Sequence, residues 1–211
     1  MVESYLRQSP LAHLHLDTRA TDDNSDLEAG VMLMELPYRV MITLRGSSTD
    51  KAFITVVGKV LATNLPLGPC TSSGDANGVH VLWMGPDEWL IVAPKSEQDG
   101  LALKLTSALA GVHASVVDVS ESRTIIRLSG KNARETLSKG CSIDLHHRAF
   151  NKGQVINSLL AQAHVTLHQG SNDEDANGTA YDIFVHRSFA EYLWSWLEDA
   201  TQEFGLRITT E

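Results

Sequence analysis

The sequence of 211 residues is poor in cysteine, with only Cys70 and Cys141. The two residues lie far apart and belong to no CxxC or Cys/His metal pattern, so they predict no compact metal motif. Two isolated cysteines in an acidic chain indicate reduced thiols in a cytosol. A single disulfide between them is the alternative.

Positive charge is also scarce, because 17 Lys and Arg stand against 26 Asp and Glu, a formal net charge of −9. We therefore predict no nucleic-acid partner, since binding to a phosphate backbone needs clustered basic residues. No apolar run has the length of a membrane span, so we predict no membrane partner. The first residues, MVESYLRQSPLAHLHL, carry charge early and have no long apolar core. We expect no secretory signal and a cytoplasmic location.

Several catalytic motifs are missing as well: the sequence has no GxGxxG, no Walker loop, no HExxH and no nucleophile elbow. Without these motifs, the sequence gives no direct basis for predicting catalytic residues. We accordingly assign no catalytic, cofactor-binding or metal-binding residue from the sequence.

Strand and helix patterns nevertheless follow one another in a regular order. In the first half, alternation and helical spacing predict strand, helix, strand, strand, helix and strand at about 38–45, 50–61, 79–84, 88–93, 97–110 and 115–119. Gly46 ends the first strand, and Ser96 with Asp99 is the predicted cap of the second helix. In the second half, the corresponding patterns lie at 123–129, 131–139, 154–161, 165–169, 181–186, 188–204 and 206–208. Gly130 follows its strand as Gly46 does.

The last helical pattern is the clearest in the chain. Ser188 and Glu191 have the spacing of a capping box. Its predicted apolar stripe consists of Phe189, Leu193, Trp196, Leu197, Ala200 and Phe204. Trp194 lies off this stripe, between Glu191 and Glu198. We interpret it as an exposed interface anchor, with packing at the rim of the stripe as the alternative.

Short helices among many antiparallel strands predict an α+β fold. The element order resembles two ferredoxin-like βαββαβ halves, at about 37–119 and 120–209, that form a single domain. Residues 1–36 are predicted as an N-terminal arm and loop. Within this arm, Leu11, His13 and Leu14 belong to an apolar stretch that packs either on the body of the protein or on a partner.

Three groups of residues could carry chemistry, and each has a structural alternative. His146 and His147, with Cys141 and Asp144 nearby, contain metal-ligand types, but their spacing favours a polar loop. Cys141 follows a helix end, where the helix dipole opposes a thiolate. His13 and His15 would share one face of an extended arm, which favours arm packing over a metal site.

The third group lies at the turn between the halves. Asp118, Glu121 and Arg123 could orient a polar ligand. A local ion pair that holds the turn is the favoured interpretation.

Three longer stretches resemble a known family: LWMGPDEWLIVAP (82–94), VVDVSESRTIIRLSGKNARETLSKGCSIDLHHRAF (116–150) and YDIFVHRSFAEYLWSWL (181–197). Together with SPLAHL (9–14), they resemble the gamma subunit of heterotetrameric sarcosine oxidase. The resemblance implies an aminomethyltransferase folate-binding-like domain. It also implies a non-catalytic structural or assembly subunit of a complex that oxidatively demethylates sarcosine.

The same resemblance implies what surrounds the chain. Its partners would be the alpha, beta and delta subunits, chiefly alpha, with Leu11, His13, Leu14 and Trp194 as candidate contacts. FAD, FMN, NAD and zinc would lie on the other subunits, tetrahydrofolate would be a co-substrate, and no cofactor would belong to this chain. The alternative is a free-standing folate-binding aminomethyltransferase-like protein.

Overall fold

The computed structural model describes residues 6–22, 29–97, 100–173 and 178–211. The strands are β1 (Val31–Leu36), β2 (Val40–Gly46), β3 (Ser72–Gly74), β4 (His80–Gly85), β5 (Glu88–Ala93), β6 (Ala114–Asp118), β7 (Arg123–Ser129), β8 (Val155–Leu160), β9 (Ala163–Asp173), β10 (Gly178–His186) and β11 (Leu206–Ile208). The α-helices are α1 (Leu16–Asp22), α2 (Lys51–Leu61), α3 (Leu101–Ala108), α4 (Ala133–Ser138) and α5 (Ala190–Thr201).

Two β-sheets pack face to face, and helices cover their outer faces. Apolar side chains from both sheets, including Met41 and Leu90 on one side and Ile125 and Phe184 on the other, form a shared core between them. A second core lies between one sheet and α2 with α3. The third and largest core lies between the other sheet and α4 with α5. The α+β class is therefore confirmed as a four-layer arrangement of helices, sheet, sheet and helices.

The first sheet has the order β3-β4-β5-β2-β6, and all of its pairs are antiparallel. The elements of the predicted first half are all present, and the hairpin of β4 and β5 turns at Gly85, Pro86 and Asp87. At α2, the Asp50 side chain accepts from the Ala52 backbone N–H at 2.8 Å, which caps the first turn. At α3, the residue before the helix is Gly100, without a side-chain cap. The predicted capping partner Asp99 lies outside the described residues.

The second sheet has the order β11-β1-β7-β10-β9-β8 and contains an N-terminal strand that was not predicted. Residues 31–36 were predicted as arm or loop, but they form β1, which pairs antiparallel with β7. On its other side β1 pairs parallel with β11, the predicted edge strand. The N-terminal strand is thus inserted between two strands of the second half. Its place satisfies backbone groups on both sides, which a surface loop would leave to water.

Gly130 permits a close approach between the end of β7 and the residues at the start of β1. Its φ of +118° is a conformation that residues with a side chain rarely adopt. A Cβ at this position would also overlap the carbonyl oxygen of Gly30, just before β1. Gly46, the last residue of β2, is needed for a different reason, because a Cβ there would run into the ring of Phe53. The similar placement of the two glycines in sequence therefore reflects different close approaches.

The predicted cap of α5 is wrong, and its predicted buried face is correct only in part. The residue before the helix is Phe189, and no side chain caps the N-terminus. The buried residues are Ala190, Leu193, Trp194, Leu197, Ala200 and Thr201. Phe189 is 44% exposed and Trp196 is only partly buried. Leu193, Leu197 and Ala200 of the predicted stripe are buried, but the inner face is rotated towards Ala190, Trp194 and Thr201.

Within the part of the chain that the structure describes, no helix is both long and apolar enough to cross a membrane.

Candidate functional site

A polar cavity of about 600 Å³ lies where the loop after β3 covers the inner face of the second sheet. Methionines of β1 and charged residues of β7 and β10 line it, together with the loop and a lysine before β8. Those that matter here are Met32, Met34, Asn77, Arg127, Lys152 and Asp182. Its volume is that of an ordinary small-molecule pocket, so the cavity is a candidate binding or catalytic site.

An ion pair between Arg127 and Asp182 forms the floor of this cavity. Arg127 Nε and Nη2 donate to the two carboxylate oxygens of Asp182 at 2.6 and 3.0 Å, and Nη1 donates to Asn77 Oδ1 at 3.2 Å. The two residues face each other across the β7–β10 ladder. Burial alone would lower the pKa of Arg127, but the hydrogen bonds and charge of Asp182 raise it. The Arg127 guanidinium therefore stays charged, and the Asp182 carboxylate compensates it.

Two buried histidines lie behind the ion pair, with their rings stacked at a centroid distance of 5.5 Å. His80 Nδ1 donates to the carbonyl oxygen of Gly78 at 3.3 Å. Burial lowers the pKa of His80. Burial and the neighbouring His80 lower the pKa of His168 from 6.5 to about 4. Both rings are therefore neutral at neutral pH, since charging either one would place a cation in a dry interior.

Ser72 Oγ lies 3.0 Å from His168 Nε2, and His168 Nδ1 lies 4.0 Å from Asp182 Oδ2. The order of the three side chains resembles a hydrolase triad. However, the Ser72 hydroxyl donates to the carbonyl oxygen of Gly153 at 2.9 Å, so its proton does not face the imidazole. The separation of His168 Nδ1 and Asp182 is too long for a hydrogen bond, and the carboxylate is held by Arg127. The arrangement is unsuited to activating a serine nucleophile.

The geometry instead suits a connection between the two sheets. Ser72 belongs to β3 of the first sheet, and its backbone N–H donates to Gly153 at 2.7 Å. Val155 N–H of the second sheet donates to the carbonyl oxygen of Cys70 at 2.9 Å. We call Ser72, His80, Arg127, His168 and Asp182 the polar seam. It joins the sheets at one end of the shared apolar core.

The predicted N-terminal arm packs on its own chain. Leu11 is fully buried in the largest core, and a 3-10 turn at Ala12–Leu14 follows it. Ser9 Oγ donates to the Glu35 carboxylate, with Oε1 at 2.5 Å. The arm is not extended, because His15 has a left-handed backbone conformation, so His13 and His15 do not share one strand face.

Of the four predicted interface residues, Leu11 and Trp194 are fully buried within the chain. The prediction of an exposed Trp194 is wrong: its Nε1 donates to Glu198 Oε1 at 2.9 Å at the inner face of α5. His13 is exposed and Leu14 is partly buried. His13 lies 3.5 Å from the carboxylate of Glu191. Only these last two residues retain surface for a partner.

The remaining candidate residues do not converge on a site. The rings of His146 and His147 lie 4.1 Å apart, Cys141 is buried, and Cys70 and Cys141 are both free thiols. Within the described ranges, no group of three or more His, Cys, Asp or Glu residues has the geometry of a metal site.

The predicted trio at the central turn is separated. Asp118 Oδ1 accepts from the Ser120 backbone N–H at 2.9 Å, whereas Glu121 pairs with Arg7 and Arg187. Arg123 joins neither acid. The favoured prediction of a local ion pair among the three is therefore wrong, because the acids have nearer partners.

Sequence analysis missed the polar seam. Arg127 and Asp182 occupy alternate positions in β7 and β10, and in an amphipathic strand such positions normally face water. Here the first sheet covers them, and only the three-dimensional packing reveals it. The one available signal was the presence of polar residues inside otherwise apolar strands.

The paired-sheet fold defines the class of protein. The structure superimposes on aminomethyltransferase T of the glycine cleavage system from Bartonella henselae with a TM-score of 0.62 at 13% identity, over 86% of this chain and 48% of that one. At this low identity the similarity shows the fold alone: the chain has the fold of aminomethyltransferases.

Two closer similarities identify the family. The model of the sarcosine oxidase, gamma subunit family matches residues 45–203. Sarcosine oxidase subunit gamma from an Arthrobacter species is 35% identical over 203 residues, which are 95% of this chain and 92% of the relative. The chain belongs to the sarcosine oxidase gamma subunit family.

A solved structure agrees with this assignment. A chain of the heterotetrameric sarcosine oxidase from Corynebacterium sp. U-96, in complex with pyrrole 2-carboxylate, has a TM-score of 0.82 and 31% identity. The match covers 94% of this chain and 96% of that one.

Proposed function

We propose that the protein is a non-catalytic structural and assembly subunit of heterotetrameric sarcosine oxidase. This complex oxidatively demethylates sarcosine to glycine, with hydrogen peroxide and formaldehyde or methylenetetrahydrofolate as the other products. The observation that carries the proposal is the match along nearly the whole length to a chain of such a complex.

The polar seam supports a structural role. Its charged and hydroxyl groups are occupied with one another or with backbone carbonyls, as the Arg127–Asp182 pair and the Ser72–Gly153 bond illustrate. A catalytic group must be free to exchange protons or to contact a substrate. Paired groups such as Arg127 with Asp182 and Ser72 with Gly153 serve instead to fix the relative position of the two sheets.

The proposed partners are the alpha, beta and delta subunits, chiefly alpha, in the cytoplasm. FAD, FMN, NAD and zinc would be bound by the other subunits, and tetrahydrofolate would be a co-substrate of the complex. His13 and Leu14 remain candidate contacts, whereas Leu11 and Trp194 are no longer proposed because they are buried. We propose no nucleic-acid or membrane partner.

The proposed domain organisation is one folate-binding-fold-like domain built from two related βαββαβ units. The order β4-β5-β2-β6 in one sheet parallels β9-β10-β7-β1 in the other, with β11 displaced outward by β1. The outer strands β3 and β8 also correspond, because each flanks the equivalent strand of its sheet. These parallels support a duplicated unit that has accepted the N-terminal strand.

Co-expression with and without this chain tests the assembly role. The alpha, beta and delta chains would be produced together with an affinity tag on beta, and the yield of flavin-containing complex would be measured by absorbance after purification. An assembly subunit predicts that omission of this chain lowers the yield of intact complex sharply. Full yield of a stable, active three-chain oxidase would contradict the proposal.

The second candidate is a free-standing folate-binding protein of the aminomethyltransferase type. The aminomethyltransferase fold and the cavity of about 600 Å³ favour it. Calorimetric titration of the isolated chain with tetrahydrofolate distinguishes the candidates. The assembly role predicts no saturable heat, and saturable binding by the chain alone would favour this second candidate.

A further inference from the structure

A cationic pocket of about 340 Å³ lies on the inner face of the second sheet, beyond the end of the shared core. Arg123 of β7 pairs with His186 of β10, and His164 of β9 pairs with Leu159 of β8. Val165, which follows His164, pairs with Val185, which precedes His186. The four side chains therefore form one row across four strands, on the face that carries Phe184.

The first sheet leaves this row uncovered. Phe184, two residues before His186, is buried against the first sheet, but His164 and His186 are exposed and Leu159 is 45% exposed. The pocket floor adds amide and hydroxyl groups from Asn157 and Thr166, which bond to each other at 2.7 Å. This part of the sheet is a polar surface that carries the positive charge of Arg123, and the residues that the structure describes leave it open.

Arg123 supplies the positive charge of the pocket. It is half-buried, and no described residue forms a hydrogen bond or ion pair with its guanidinium, although the charge of Glu88 acts on it through space. A partly buried cation without a direct partner is costly unless a carboxylate or phosphate compensates it. Arg39 and Arg127, two other partly buried arginines, each contact a carboxylate of the chain.

Two exposed aromatic side chains belong to the 3-10 turn and the helix that follow β10. Phe189, 44% exposed, lies three residues after His186. Tyr192, 39% exposed, accepts through its hydroxyl from the backbone N–H of Gln162, three residues after Leu159. With Leu159, these make up three of the seven large apolar side chains that the described residues expose. Arginine and aromatic residues together are typical of binding surfaces.

We propose that this pocket receives a carboxylate side chain from another subunit of the oxidase complex, bound through the guanidinium of Arg123. Charge complementarity points to an acidic segment, because the positive charge of Arg123 lies in a pocket whose lining residues include no carboxylate. The proposal rests on the proposed function as a subunit. It adds the surface through which the chain is bound and the chemistry of what binds there.

A competition between wild-type and variant chains for incorporation into the complex tests whether this surface binds another subunit. Wild-type chain and a mass-distinguishable variant would be co-expressed with the other three subunits, and their ratio in the purified complex and in the lysate would be measured by mass spectrometry. The informative variants are Arg123→Glu and, at fully exposed positions where folding is not at risk, His164→Glu with His186→Glu. Matched controls are Arg148→Glu and His147→Glu, which change exposed residues in the loop before β8.

We expect the controls to be incorporated like wild type and the pocket variants to fall to about one tenth or less, relative to their abundance in the lysate. If the pocket variants are incorporated as well as wild type, and wild type is present in the complex, the proposed binding surface is wrong but the proposed function still stands. Absence of wild type from the complex defeats the proposed function itself. Saturable binding of free succinate to the isolated chain, detected by NMR of the His164 and His186 rings, would also contradict the proposal. It would show that the pocket binds a small carboxylate metabolite instead of a subunit side chain.

Discussion

At the scale of single residues, the polar seam shows that charged and titratable side chains can hold two sheets together. Asp182 is 3% exposed and His168 is 2% exposed, so both are interior groups. The carboxylate is tolerated because Arg127 binds both of its oxygens. The imidazole is tolerated because it is neutral, with Ser72 at its Nε2. Burial therefore makes stability dependent on pH and on pairing.

Acidification should destabilise the protein through His168. Its folded pKa, about 4, lies below the ordinary value of 6.5, so the unfolded chain binds the proton first as the pH falls. Above about pH 6.5 the ring is neutral in both the folded and the unfolded chain, so His168 then causes no loss of stability. As the pH falls from about 6.5 to about 4, protonation of His168 in the unfolded chain should lower the free energy of unfolding by up to about 3 kcal/mol.

Urea unfolding at pH 7 and pH 5 measures this effect. The variant His168→Gln should lose less stability on acidification than wild type, whereas His147→Gln, at an exposed ring, should behave like wild type. An equal pH dependence for His168→Gln and wild type would show that His168 is not the titrating group.

Removal of one member of the Arg127–Asp182 pair should be strongly destabilising. Asp182→Leu leaves a half-buried guanidinium without its anion, which costs about 3–5 kcal/mol. The double variant Arg127→Met/Asp182→Leu should recover part of this loss, because no isolated charge then remains. Chemical denaturation of the single and double variants provides the comparison.

Arg45→Leu is the matched control for this pair. Arg45 contacts Asp87 at 2.9 Å with both side chains more than half exposed, so its loss should cost no more than about 1 kcal/mol. A double variant that is as unstable as the sum of its single variants would show that the two charges do not act as a pair.

Sequence alone could not have identified these residues. Arg127 and Arg123 occupy equivalent alternate positions of β7, yet one is paired beneath the first sheet and the other lines an open pocket. The difference arises from how far the first sheet extends over the second. That distance is a property of non-local packing, which the pattern of a single strand does not contain.

At the scale of elements, local patterns were sufficient where the interactions are local. The helix predicted at 50–61 is present as α2, where Asp50 caps the first turn and Phe53, Val57 and Leu61 face inward at helical spacing. The hairpin of β4 and β5 depends on its own turn. β1 was missed because both of its partners, β7 and β11, are distant in sequence. An apolar run after an acidic stretch carries no information about such pairing.

The phase of α5 gives a prediction at this scale. Trp194 is fully buried with its indole bonded to Glu198, whereas Phe189 is 44% exposed. Trp194→Ala should therefore cost about 3–5 kcal/mol through the cavity it leaves. Phe189→Ala should cost less than about 1 kcal/mol, as for most surface substitutions. Thermal and urea unfolding of both variants would measure the two losses, and a larger loss for Phe189→Ala would contradict this helix orientation.

At the scale of the whole molecule, the four layers explain why a chain with an aminomethyltransferase fold can serve as a subunit. The inner faces of the sheets are occupied partly by an apolar core and partly by the polar seam, which leaves the cationic pocket uncovered at the far end. The family motifs predicted the family correctly from the sequence. The open surface could not be predicted, because it depends on where two sheets stop covering each other.

Native mass spectrometry of the oxidase, purified through a tag on another subunit, tests the central claim most directly. The account predicts one intact assembly of four different chains in which this 23.1 kDa chain is present in equal number to the others. It also predicts that mild dissociation releases this chain without any bound flavin or nucleotide. A complete and active oxidase that lacks the chain, with the chain found only as a separate species, would contradict the account.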